Sequence, residues 1–282
     1  MKITQSNGVI SVYLDDVVHG WSKSVYLFSD VHFDSVYSQR EIYLDHLERA
    51  KREDALIFDG GDLFDAMQGR FDPRRSMDEL RPEYRREDYY DFVIQDVANY
   101  LKPYARNILV FGSGNHELAV RKNANTDLTE RLVQELRREG APTVRMGFKG
   151  WIRFMFIKSS GNSTGSIVLR FSHSGGGASA PVTWGVIETN RQAVYLPDAD
   201  VVWNGHSHHG WVVPISRERL SNKGTVYQDL AWFVRTPGYK AEYLNDDIGY
   251  AAQKAAGPTP IGCIRLTLEY NDLPMVKAEL VV

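Results

Sequence analysis

Five short apolar runs in this chain end in the same kind of residue, and that repeat constrains the fold more than any other feature. Val25 to Ser29 runs into Asp30-Val31-His32, and Ala55 to Phe58 runs into Gly61-Asp62. Asn107 to Phe111 leads to Gly114-Asn115-His116-Glu117, Ile167 to Phe171 to His173, and Val201 to Trp203 to Gly205-His206-Ser207-His208. Apolar runs this short predict strands buried on both faces. In open α/β sheets the carboxyl ends of such strands form the ligand crevice. Residues spread from position 30 to position 208 are therefore expected on one rim.

Helical patterns separate the runs. Ser38 to Lys51 places Ile42, Leu44, Leu47 and Ala50 at helical spacing, and Tyr89 to Leu101 does the same with Phe92, Val93, Val97 and Tyr100 before Pro103. Thr126 to Arg138 is amphipathic through Leu128, Leu132, Val133 and Leu136 and stops at Gly140. Trp151 to Ile157 is strand-like, and Pro181 to Tyr195 reads as a helix with proline in its first turn. After Trp211 the pattern is β: Trp211 to Ile215, Thr225 to Val234, Gly262 to Leu268 and Met275 to Val282. Alternation followed by many strands fits an α/β domain of two sheets covered by helices, spanning 1–282.

One stretch breaks the alternation. Asp65 to Arg86 is longer than an ordinary connection and carries Arg70, Arg74, Arg75, Arg81, Arg85 and Arg86 without a lysine. It reads as the start of an inserted arm, at about 65–105, lying near the strand ends. A solvated surface loop, or a hairpin held by Arg–carboxylate pairs, accounts for the same composition.

Composition narrows the partners. The chain has 282 residues, 43% hydrophobic and 24% charged, with 33 basic against 36 acidic side chains. A net charge of −3 excludes a globally basic nucleic-acid binder but leaves room for a local patch. There is no apolar run long enough for a membrane span, and the first sixteen residues do not have the pattern of a secretion signal. A cytoplasmic location is expected. Cys263 is the sole cysteine, so a disulfide framework and a cysteine zinc site are excluded.

The residue types at the strand ends suit a pair of divalent cations. Aspartate supplies oxygen, imidazole nitrogen, and the asparagine amide a neutral oxygen. Asp30 and His32 reach one ion if the backbone turns between them, and His206 and His208 share that spacing. Two cations about 3.5–4 Å apart need a bridging anion, and Asp62 beside Gly60 and Gly61 is the candidate. Gly-His-x-His is expected by chance roughly 0.02 times in a chain of this composition. Six of the eight histidines fall in these loops, where core histidines would scatter.

Asp-x-His, Gly-Asp, Gly-Asn-His-Glu, His and Gly-His-x-His, in that order, resemble the calcineurin-like metallophosphoesterase superfamily. The resemblance covers 30–208 and implies a four-layer α/β/β/α fold with two mixed β-sheets. It implies one metal held by Asp30, His32, Asp62 and His208, and a second held by Asp62, Asn115, His173 and His206. His116 matches the family histidine that contacts the leaving group or the phosphate. Two cations neutralise an anionic ester and acidify a bridging water, so that hydroxide attacks phosphorus in line while His116 assists the leaving oxygen. Glu117 either orients His116 or caps a turn, the capping role being preferred. The cations are expected to be manganese, although nitrogen–oxygen ligation also admits iron, zinc or nickel.

Gly61-Asp62-Leu63-Phe64-Asp65 is similar to the second motif of the DNA double-strand-break repair nucleases in that superfamily. It lacks the Asp-Arg-Gly triplet of the Ser/Thr protein phosphatases. The expected activity is therefore a phosphodiesterase or nuclease acting on nucleic acid or nucleotides, with Arg70, Arg74 and Arg75 contacting phosphate. A phosphomonoesterase or nucleotide phosphohydrolase is the alternative, and an inactive metal-binding module is more remote. No protein partner is implied.

Overall fold

The alternation in the sequence becomes two stacked sheets. The computed structural model describes residues 2–66, 77–174, 186–241 and 258–282. It begins with β1 (Lys2–Ser6), β2 (Val9–Leu14), β3 (Trp21–Phe28), α1 (Arg40–Arg52) and β4 (Leu56–Asp59). Then come α2 (Tyr89–Leu101), β5 (Ile108–Phe111), α3 (Asn115–Ala124), α4 (Leu128–Arg138) and β6 (Val144–Arg145). The second half holds β7 (Lys149–Ile157), β8 (Ser163–Ser172), α5 (Val186–Tyr195) and β9 (Val201–Asn204). It ends in β10 (Trp211–Leu220), β11 (Val226–Arg235), β12 (Cys263–Asn271) and β13 (Leu273–Val281).

One sheet has the order β13-β12-β3-β4-β5-β6, with β3 to β6 parallel. The other runs β1-β2-β7-β8-β9-β11-β10, with β8, β9 and β11 parallel. The period of two in β3 shows how the layers are divided. Val25 and Leu27 enter the core between the sheets with Phe58, Val110, Phe154, Leu169 and Trp203. Tyr26 and Phe28 point the other way, into a core with Tyr43 of α1, Val93 and Val97 of α2, and Leu132 and Leu136 of α4. On the far side Ala193 of α5 packs with Val202 and Phe233. The layers are therefore α/β/β/α, as the resemblance implied.

Three features differ from the sequence reading. The N-terminal stretch forms a β1–β2 hairpin whose turn is Asn7-Gly8, both at positive φ. His116 sits in the first turn of α3, not in a loop, because β5 passes through Gly112 to Gly114 straight into a helix. Within 65–105, α2 belongs to the helix-side core, and Leu80 and Tyr84 are also buried there. Residues 181–185 of the expected helix at Pro181 lie outside the described residues. Among the described residues no helix is long and apolar enough to cross a membrane.

Candidate metal centre

Parallel strands of both sheets end at the same rim, and their loops continue to pair beyond the strands. Asp30 N–H donates to the Gly61 carbonyl (2.9 Å), His32 N–H to Asp62 O (3.0 Å) and Gly205 N–H to His173 O (3.0 Å). This backbone lattice brings the expected ligands into two groups. Asp30, His32 and His208 form one, and Asp62, His173 and His206 the other, with the ligand atoms of each group within 4.8 Å of one another. Asn115 Oδ1 lies 3.2 Å from His173 Nε2, beside the second group. Asp62 falls in the second group only. Arg70, Arg74 and Arg75 lie outside the described residues.

The local backbone is unusual. Asp30, His32, Asp62, His206 and His208 all adopt positive φ, between 47° and 71°. Side-chain residues avoid this region, and such strain gathers at functional sites. Each left-handed residue turns the chain at once, which allows Asp30 and His32, or His206 and His208, to face the same space. Gly61 (φ +95°) and Gly114 make the crossing of the β4 and β5 loops possible. A Cβ on Gly61 would sit 2.2 Å from Gly114 N, and one on Gly114 would sit 2.0 Å from Asp62 Oδ1.

The electrostatics suit cations. His32 Nδ1–H donates to Asp65 Oδ1 (2.7 Å), while its Nε2 is buried without a hydrogen-bond partner. Burial holds the His32 pKa down at about 4, so the ring keeps a lone pair. An orphaned buried imidazole nitrogen on a residue grouped with Asp30 and His208 fits a metal ligand. His173 donates through Nδ1 to Gly60 O (2.9 Å) and turns Nε2 toward Asp62 Oδ2 (3.0 Å). Burial alone would lower its pKa, yet the Asp62 and Asp30 carboxylates raise it to about 10. Asp30 and Asp62 are themselves held below the usual carboxylate range, by neighbouring histidines acting against burial. These carboxylates draw positive charge to the place between them.

Residues outside the expected ligand sets support the ligands, and of these sequence reasoning singled out only Glu117. Glu117 takes the N–H groups of Asp62 (3.0 Å), Phe64 (3.1 Å) and Gly114 (2.8 Å), clamping the β4 loop to the start of α3. It therefore fills the structural role. Asp34 accepts Asp65 N–H (2.6 Å) and Ala66 N–H (3.0 Å). Ser29 Oγ donates to Asp30, and Arg235 Nη1 donates to Ser207 Oγ (3.0 Å) in the loop between His206 and His208. A spacing of Asp30-x-His32-x-Asp34 and Asp62-x-x-Asp65 was the available signal for two of these. His116 is partly exposed, its N–H on Asp62 Oδ1 (2.8 Å) and its Nδ1 on the Asp65 carbonyl. The arm's described arginines serve the fold: Arg81 donates to Ser35 O and Ser38 O, Arg85 to Leu80 O, and Arg86 pairs with Asp88.

Burial and the Asp62 charge raise the Glu117 pKa to about 7, against its backbone donors. A carboxyl raised on folding stabilises the fold below its unfolded value, and that contribution is lost as pH rises through the folded value. Urea denaturation of the metal-free protein is expected to show a loss on the order of 2 kcal/mol from pH 5 to 8 that Glu117→Gln removes. Equal pH slopes in the two proteins would refute this.

Two sheets between helix layers, with aspartate, asparagine and histidine gathered at their joint rim, define a metallophosphoesterase. The calcineurin-like phosphoesterase profile matches residues 23–212, and the chain belongs to that family. No curated protein matches it. Among solved structures it is similar to a predicted phosphoesterase from Streptococcus pneumoniae, at 12% identity over 92% of this chain and 99% of that one, TM-score 0.32. It is also similar to zinc-complexed Vps29 from Entamoeba histolytica (12%, 92% and 98%, TM-score 0.36). A third is a metallophosphoesterase from Sphaerobacter thermophilus (13%, 92% and 88%, TM-score 0.34).

Proposed function

We propose that this protein is a dinuclear metal-dependent phosphodiesterase acting on nucleic acid or nucleotides. The observation that carries the metal-dependent hydrolase reading is the pair of N/O ligand groups at one rim, with the buried His32 Nε2 of the first group unpartnered. Asp30, His32, Asp62 and His208 would hold one cation, and Asp62, Asn115, His173 and His206 the other. Two divalent cations held there would neutralise the phosphate charge and lower the pKa of a water toward neutrality. Asp62, with one oxygen on His116 N–H and the other facing His173 of the second group, would share its charge between the two cations. His116 is the general acid, giving a proton from Nε2 to the leaving oxygen while the Asp65 carbonyl accepts its Nδ1–H.

The diester and nucleic-acid part of the proposal is supported by Gly61-Asp62-Leu63-Phe64-Asp65 and by Arg70, Arg74 and Arg75 just beyond it. Arginine forks match phosphate oxygens. Manganese is the proposed metal.

The test is a substrate panel with Mn²⁺: bis-p-nitrophenyl phosphate, p-nitrophenyl phosphate, and single- and double-stranded DNA. The proposal expects the diester and DNA to be preferred over the monoester. Preference for p-nitrophenyl phosphate would replace it with a phosphomonoesterase. Two bound metals without turnover on any substrate would leave a binding module.

A further inference from the structure

We propose that Lys240 is a positioning residue of the centre, holding the Asp65 carboxylate in the orientation that aims His32 Nε2 at the cation. The inference rests on the metal-centre reading above. Lys240 is buried, 7% exposed, with Nζ 3.2 Å from Asp65 Oδ1 and 3.6 Å from Glu79 Oε2. The same Asp65 oxygen receives His32 Nδ1–H at 2.7 Å and lies 3.6 Å from His116 Nδ1. One carboxylate oxygen thus serves an expected ligand, the expected general acid and an ammonium from the far end of the chain.

Lys240 reaches that place through pairing built for it. Tyr239 N–H donates to Asp30 O (2.9 Å), and Ala241 N–H donates to Tyr37 O (3.0 Å). Lys240 itself bridges to Ser38 across this short ladder. The segment after β11 is therefore pinned on both sides of Lys240 to the loop that carries Asp30 and His32. Burying an ammonium is costly unless it is paired, and surface pairs stabilise a fold without that cost. The nearby charge supplies the reason. The ammonium faces two carboxylates, Asp65 and Glu79, and Asp65 is the one that receives His32 Nδ1–H. Outer partners of metal-binding histidines fix ring orientation and tautomer in this way.

The test uses the full-length protein and the variants Lys240→Met, Lys240→Gln and Lys240→Arg, with melting temperatures recorded for each. Mn²⁺ is titrated calorimetrically, and ¹⁵N spectra of the metal-free proteins report the His32 tautomer. Lys240→Met and Lys240→Gln are expected to bind Mn²⁺ about 10–100-fold more weakly, with Lys240→Arg recovering most of the affinity. In the first two His32 no longer holds its proton solely on Nδ1. Lys240→Gln keeps length and polarity and serves if Lys240→Met does not fold. A folded Lys240→Met or Lys240→Gln with wild-type Mn²⁺ affinity and His32 tautomer overturns the proposal, even at a lower melting temperature. A wild type that binds no Mn²⁺ overturns the metal-centre reading instead, while the tautomer comparison still decides the role of Lys240.

Discussion

Asp62→Asn is expected to keep its fold, retain at most one divalent cation and turn over phosphoesters about 10³-fold or more slowly, the several kcal/mol that metal-held charge stabilisation supplies. The reason is local. Asp62 is 1% exposed, with Oδ1 on His116 N–H and Oδ2 facing His173 Nε2. An asparagine fills the same volume but turns an amide donor toward one of these nitrogens. It also removes the charge that would be shared by two cations. The substitution has a second reading in the metal-free protein. The His173 pKa, raised to about 10 by Asp62 and Asp30 against its burial, should fall once Asp62 loses its charge. Elemental analysis and a histidine NMR titration check both parts. Two bound cations with undiminished turnover would remove Asp62 from the centre.

His116→Ala is expected to lose about 10²–10⁴-fold in kcat while retaining both cations, the range of general-acid effects. His116 belongs to neither of the two proposed ligand sets, and its Nδ1 is occupied by the Asp65 carbonyl. Its side chain is 14% exposed, against 3% for His32, which leaves it open to substrate. The loss should shrink for p-nitrophenyl esters, whose leaving oxygen needs little protonation, and stay large for alkyl esters. Comparing the two leaving groups on one variant, with metal content measured beside them, separates the roles. Departure of a metal with His116 would make it a ligand.

The ends of the buried strands were legible because each run is short, apolar and followed at once by Asp, Asn or His. The helices α1, α2 and α4 were legible for a similar reason, since their apolar spacing is regular. The β1–β2 hairpin was missed although Asn7-Gly8 is a strong turn signal and β2 alternates buried and half-buried residues, because its partner β1 is polar and largely exposed. α3 was hidden by its own chemistry: Asn115 and His116 read as loop ligands, while Gly114 and Glu117 mark a helix start. The supporting residues were the least visible. Lys240 meets Asp65 from 175 positions away and Glu117 meets Asp62 from 55, so only the fold shows what each one faces.

Five expected ligands stand where the backbone would prefer glycine, and this sets folding against chemistry. A left-handed side-chain residue costs roughly 1 kcal/mol, so the five together cost about 5 kcal/mol, comparable to the whole net stability of many domains. His206 is the clearest instance, being exposed with φ 71°, so that a glycine there loses little packing and gains an easier turn. Selection for thermal stability alone, carried out without metal, would therefore erode these positions first. A library screened that way would drift toward a sturdier sandwich with an empty rim. Stabilising this protein while keeping its chemistry requires selecting with metal present, so that each strained residue is retained for the cation it would hold.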